Sequence, residues 1–110
     1  MEDSLKDKKE IENSFFEQLG EIYDPEIMAP ITDLGLIYRI ELKEDKSVEV
    51  DFTLTYPGCP WGPVLEKSIR KTLKRKNEWL DDVKTSMVFD PPWQVQFAKE
   101  ELRIAMGYPI

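Results

Sequence analysis

The sequence predicts an α+β fold of two layers, in which a small three-stranded sheet packs with helices in the order α-β-β-α-β-α. Three observations carry this. Apolar residues recur at helical spacing in two long stretches, Ile11, Phe15, Leu19, Ile22 and Val64, Leu65, Ile69, Leu73. Three runs alternate apolar and polar residues with period two, as strands with one buried face do. Only a short charged turn, Lys43 to Ser47, separates the first two runs, which predicts an antiparallel hairpin.

Residues 1–9 are charged with mixed sign and read as a flexible tail, leaving residues 10–110 as a single domain. Ser4 with Asp7 is the alternative, a capping pair that starts the first helix early. The Asp24-Pro25 step is the expected end of that helix, because the residue before a proline avoids helical angles. Residues 26–35, with Pro30 and Gly35, read as an irregular connection. Leu36, Tyr38, Ile40 and Leu42 form the first strand's apolar face. Val48, Val50, Phe52 and Leu54 form the second's, with the strand running to Thr55.

A second helix follows to about Lys76. Pro60 suits a first helical position, although Pro63 then lacks an amide, so either the helix starts nearer Pro63 or its first turn is distorted. Val83, Thr85, Met87 and Phe89 alternate as the third strand, which Asp90-Pro91-Pro92-Trp93 ends abruptly. Ala98–Met106 is the last helix, with Gly107 at its C-terminal cap. If strands two and three run parallel, the helix between them is a right-handed crossover.

Composition narrows the function. The chain has 110 residues, a net charge of −7, one cysteine and no histidine. The negative charge disfavours nonspecific binding to nucleic acid or to anionic membranes. No apolar run approaches the roughly 20 residues that span a bilayer, and the first ten residues do not resemble a secretory signal. A single thiol forms no internal disulfide, which points to the reducing cytoplasm. Without histidine the usual acid–base chemistry near neutral pH is missing. One cysteine is too few for a zinc or cluster site built by one chain, so any further ligands come from a second subunit, a client protein, a small thiol or carboxylates.

Cys59 is the leading candidate, because Tyr56-Pro57-Gly58-Cys59-Pro60 places it between a strand and a helix. Helix N-termini stabilise thiolates, so this position suits a reactive sulfur at the mouth of a pocket; the alternative is a buried cysteine acting as a small apolar residue. Gly58 is suited to an unusual backbone angle or to close approach by a ligand. Asp24, Glu26 and Asp33 form an acidic group suited either to binding a metal or tuning a thiol, or to shaping the turns at Pro25 and Gly35. Thr53 and Thr55 lead to the cysteine. They read either as an exposed strand face or, for Thr55, as a hydrogen-bonding partner of the thiolate or of the following turn. Trp93 either packs in the core or meets a partner. Lys67, Arg70, Lys71, Lys74, Arg75 and Lys76 give the second helix a basic face, read as solvated or as a docking face for an acidic partner; no aromatic residues interleave with it as nucleic-acid binding would favour.

Four motifs in order, Asp24-Pro25-Glu26-Ile27, Asp33-Leu34-Gly35-Leu36-Ile37-Tyr38, Thr53-Leu54-Thr55 with Pro57-Gly58-Cys59-Pro60, and Asp90-Pro91-Pro92-Trp93, resemble the metal–sulfur cluster assembly family. SufT, the PaaD-like proteins and the small subunit of the eukaryotic cytosolic iron–sulfur targeting complex belong to it. The likeness runs from about Phe15 to Tyr108. It implies a domain related to the C-terminal domain of NifU-type scaffolds and a non-enzymatic role in assembling, maturing or targeting iron–sulfur proteins. Cys59 would be a transient ligand to iron or to a cluster, with Asp24, Glu26, Asp33, Thr55 and Gly58 around it and Trp93, Lys71 and Arg75 meeting a partner. The partners implied are apo client proteins or assembly machinery, with a homodimer as one way to share thiolates. NifU-type scaffolds carry paired cysteines, which this chain lacks, so autonomous scaffolding is not implied. An accessory subunit of a phenylacetyl-CoA-type oxygenase and a thiol enzyme are the alternatives.

Overall fold

A computed structural model describes residues 2–107, with side chains from Asp7 onward. Helix α1 spans Glu2–Leu19, so it begins at Glu2 and not after the expected tail. The segment 2–10 is rich in Glu and Lys, good helix formers that need no buried face to continue a helix already formed beyond them. The Ser4–Asp7 capping pair and the family likeness at Tyr108 fall partly outside the described residues. Phe15 and Leu19 are wholly buried, and Ile11 and Ile22 pack against the core from its edge.

The helix stops at Leu19, five residues before the Asp24-Pro25 step that was expected to end it. The Gly20 amide bonds the Glu17 carbonyl and the Ile22 amide the Leu19 carbonyl, a tightened last turn. The connection that follows is partly regular. Tyr23–Asp24 (β1) and Ala29–Pro30 (β2) pair as a two-residue antiparallel ribbon.

The main sheet has three strands, Ile37–Leu42 (β3), Ser47–Phe52 (β4) and Asp82–Met87 (β5), with β4 in the centre. β3 and β4 are antiparallel, with a bulge between Ile37 and Arg39. The bulge breaks the alternation, so Tyr38 lines an outer groove with Arg39 while Ile40 and Leu42 pair across from Val50 and Val48. β4 and β5 are parallel, from Ser47 opposite Asp82 to Phe52 opposite Met87. Helix α2, Gly62–Lys76, is the crossover between them.

Val48, Val50 and Phe52 of β4 face Leu65, Ile69 and Leu73 of α2 and Phe15 and Leu19 of α1 in one core. Each such side chain contributes about 1.5–3 kcal/mol relative to exposure. Val64 lies outside this face, because a residue beside Leu65 is rotated about 100° away on a helix. The other sheet face is bare and charged: Arg39 sits among Glu41, Glu49 and Asp51, with Arg39 Nε to Asp51 Oδ2 at 2.9 Å. At the far ends of the helices, Asn77 Nδ2 donates to Gln18 Oε1 at 2.7 Å and to the Leu73 carbonyl at 2.8 Å, tying α1 to the end of α2.

The C-terminal segment folds back over the Asp33–Gly35 turn. Trp93 Nε1 donates to the Leu34 carbonyl at 2.7 Å, Tyr38 Oη to the Pro91 carbonyl at 2.8 Å, and the Lys99 amide to the Asp33 carbonyl at 2.9 Å. The Asp90–Pro91 peptide is cis. A single 3₁₀ turn, Val95–Phe97, precedes helix α3, Glu100–Ala105, which is shorter than the expected span. Gly107 follows with φ +89° and its amide on the Ile104 carbonyl, as a glycine cap requires.

Gly35 sits under this fold-back at φ +78°, and a Cβ there would lie 2.5 Å from the Phe97 carbonyl oxygen. Gly58 has a similar φ of +83° with nothing within 4 Å. Gly58→Ala is therefore expected to cost only the left-handed backbone penalty, about 1–2 kcal/mol, whereas Gly35→Ala must also displace Phe97 and is expected to cost about 3–5 kcal/mol. Urea denaturation of the two variants checks this; equal losses would show that Phe97 does not press on Gly35.

Candidate functional site

The chain leaves β4 at Phe52, so Thr53 to Trp61 form the link to α2 and not a strand end. Thr53 is 0% exposed, contrary to an exposed strand face. Its amide donates to the Leu36 carbonyl at 2.8 Å, and its Oγ1 makes no hydrogen bond of ordinary geometry. Thr55 is half-buried in the link. The Cys59 amide reaches back to the Tyr56 carbonyl at 3.4 Å and the Gly62 amide to the Cys59 carbonyl at 3.2 Å, so two successive turns carry the chain round the cysteine. The positive φ of Gly58 sits in the first of them.

Helix α2 begins at Gly62, with Trp61 as its cap residue and the Leu65 amide on the Trp61 carbonyl at 2.8 Å. Pro60 is thus outside the helix, and Pro63 takes its second position, where a missing amide costs nothing because the first amides of a helix have no partner. Cys59 lies three residues before the helix and not at its cap. It is 4% exposed and counts among the buried core residues. The expected open thiol is therefore corrected: the sulfur is covered, because the turns that skirt it place Tyr56, Pro57 and Gly58 outside.

Tyr56 is the residue that sequence reasoning passed over. Its phenol is held above its ordinary pKa, first by the nearby Cys59 side chain and then by the negative charge of Glu26. Glu26 and Tyr56 are exposed, whereas Cys59 is buried. The signal was available: an aromatic with a polar tip three residues before a cysteine, within one turn.

Asp24 is 1% exposed and supports this site from below. Its Oδ1 accepts the Glu26 amide at 2.7 Å and the Ile27 amide at 3.0 Å, the Asx turn that presents Glu26. Met28 follows at φ 62° and Ala29 returns to pair with Asp24. Asp33 belongs elsewhere. Its carboxylate pairs with Lys99 at 3.1 Å under the C-terminal fold-back. Trp93, half-buried and bonded to Leu34, packs there too. Lys71 and Arg75 line one groove on α2, and Arg75 is bound to Glu21.

Among the described residues no three Cys, Asp or Glu side chains converge as a metal site does. One thiol and a nearby carboxylate can hold part of an iron's coordination shell, with the remainder from another molecule. No helix among the described residues is long and apolar enough to cross a membrane.

Comparison with known proteins agrees with this frame. Residues 15–86 match the model of a family described as iron–sulfur cluster assembly protein. An Fe-S protein maturation auxiliary factor of Bacillus subtilis, YitW, is 31% identical over 97% of this chain and 98% of its own length. The Fe-S protein maturation auxiliary factor SufT of Staphylococcus aureus is 33% identical over 78% of this chain and 97% of its own length. A crystal structure of a domain of unknown function from Bacillus anthracis is 25% identical and superposes with a TM-score of 0.88 over 96% of this chain and 99% of that one.

Two expectations follow from the geometry. Asp24→Ala, which strands the Glu26 and Ile27 amides, is expected to lose about 2 kcal/mol, while Asp24→Asn keeps an acceptor and loses less than about 1 kcal/mol; equal losses in chemical denaturation would point to the charge and not to the turn. In carbon NMR of ring-labelled tyrosine, Tyr56 is expected to titrate above its ordinary 10.0 and to return toward it in Cys59→Ala. An unchanged titration would mean that the sulfur does not face the phenol.

Proposed function

The chain belongs to the iron–sulfur cluster assembly protein family, and from that premise we propose that it is a non-catalytic factor that matures or targets iron–sulfur proteins in the cytoplasm. Its cargo is iron or a preformed cluster, held in passing by the Cys59 thiolate. What supports this reading is the lone thiol in the link between β4 and α2, one turn after Tyr56, whose phenol Cys59 and Glu26 hold above its ordinary pKa.

In the free protein the thiol is covered. Tyr56, Pro57, Gly58 and Pro60 around it are exposed, and a Cβ built on Gly58 would meet nothing within 4 Å. A partner that displaces Tyr56 would uncover the sulfur, and the Glu26 carboxylate beside it favours an incoming iron cation. The remaining ligands come from a second copy of this chain or from the client's own cysteines. A single thiolate holds a cluster weakly, which suits passing it on. An oxygenase accessory subunit is not favoured by these observations, nor is a thiol enzyme, since no base stands beside the sulfur apart from Tyr56 and Glu26.

Cys59→Ala, in cells lacking the native protein, is expected to fold as the wild type by circular dichroism yet fail to restore an iron–sulfur client enzyme. Full client activity with this variant would end the thiolate reading. Anaerobic addition of iron and sulfide is expected to yield, by native mass measurement, a cluster bridging two copies or none on a single copy; a stable cluster on one chain would contradict the shared-ligand scheme.

A further inference from the structure

The outward face of α2 has no part in the Cys59 site, yet it holds the largest local excess of charge. The helix carries Lys67, Arg70, Lys71, Lys74, Arg75 and Lys76 against one carboxylate, Glu66, in a chain of net charge −7. Some of these cations are already used. Arg70 pairs with Glu66, and Arg75 and Lys76 with Glu21, the Lys76 contact at 3.2 Å. Lys67, Lys71 and Lys74 have no carboxylate within 4 Å among the described residues. Their spacing of four and three places them on one stripe of the helix.

The stripe is also concave. Lys71 lines both a groove of about 660 Å³, with Glu21, Ile22, Tyr23 and Arg75, and a hollow of about 350 Å³, with Pro63, Glu66, Lys67 and Arg70, while Lys74 continues the stripe outside both. From Pro63 to Arg75 the helix rises about 18 Å, the length of five or six extended residues at about 3.3 Å each.

We propose that this stripe is a docking groove for an acidic segment of about five or six extended residues in a partner protein, its carboxylates on Lys67, Lys71 and Lys74 and one apolar side chain on Ile22 and Tyr23. The groove names the chemistry of the partner that the maturation reading requires, and rests on that reading only for the partner's role. One end of the stripe is Pro63, four residues after Cys59, so a segment seated there has an end beside the cysteine link. Like charges elsewhere on this acidic chain repel an acidic partner from other faces, which gives the groove its selectivity.

The test is fluorescence anisotropy with a labelled peptide of about ten residues, alternating Glu and Ala around one central Leu. Saturable binding is expected at about 20 mM salt, weakened at least about tenfold at about 300 mM. A variant carrying Lys67→Gln, Lys71→Gln and Lys74→Gln is expected to bind about tenfold more weakly still, while the charge-matched Lys8→Gln, Lys9→Gln, Lys84→Gln variant binds as the wild type. Circular dichroism confirms that both keep the fold. Equal loss in the two variants, no saturation at low salt, or tighter binding of oligothymidylate would each overturn the proposal. So would salt-dependent self-association abolished by the α2 variant without peptide binding, which would assign the face to a second copy. Peptide binding is read directly, so its failure leaves the Cys59 result standing, and an active Cys59→Ala protein leaves the groove standing.

Discussion

Strand β4 is hydrogen-bonded along both edges, antiparallel on one side and parallel on the other, and this requirement fixes most of the molecule. A parallel neighbour cannot be reached by a tight turn, so the chain must leave the end of β4, cross the sheet as a helix and return. The link at that end, Thr53 to Trp61, holds the thiol. Because α2 must pack Leu65, Ile69 and Leu73 on Val48, Val50 and Phe52, its first turn has little freedom. The position of Cys59 is therefore set by the core, while the turns outside it are set only by their own short hydrogen bonds.

A second constraint holds the opposite end of the motif set. The Asp33–Gly35 turn is clasped by Trp93, Phe97 and Lys99. Two segments about 60 positions apart become one unit through main-chain carbonyls, the acceptors least sensitive to side-chain substitution. Asp33 and Trp93 are thereby held within the fold. Asp24 stands between these roles: its carboxylate satisfies backbone amides, and the same turn carries Glu26 to the thiol.

The element order and the sheet alternation were legible in the sequence because burial on one face of a strand or helix leaves a period that any reader can count. Val48, Val50, Phe52, Leu65, Ile69 and Leu73 all lie in the core they were expected to form. What was not legible depended on position within a turn. The same prolines that marked Cys59 as special were consistent with a helix starting at Pro60 or near Pro63, and the first helical bond, from the Leu65 amide to the Trp61 carbonyl, sets the later start. Thr53 continued an alternating run, yet the strand ended one residue before it and Thr53 is buried with its amide on the Leu36 carbonyl. The early start of α1 was open only as the Ser4–Asp7 alternative, because its first two turns show no apolar period and the strength of Glu and Lys as helix formers is a weak signal alone. Tyr56 escaped because a tyrosine near a cysteine means little until a turn folds one over the other.

The cover over Cys59 has a chemical consequence of its own. Oxidation of a thiol by peroxide in solution requires an exposed thiolate. A sulfur shut behind the turn that carries Tyr56 is spared that attack, so the overoxidised acids of Cys59 form slowly.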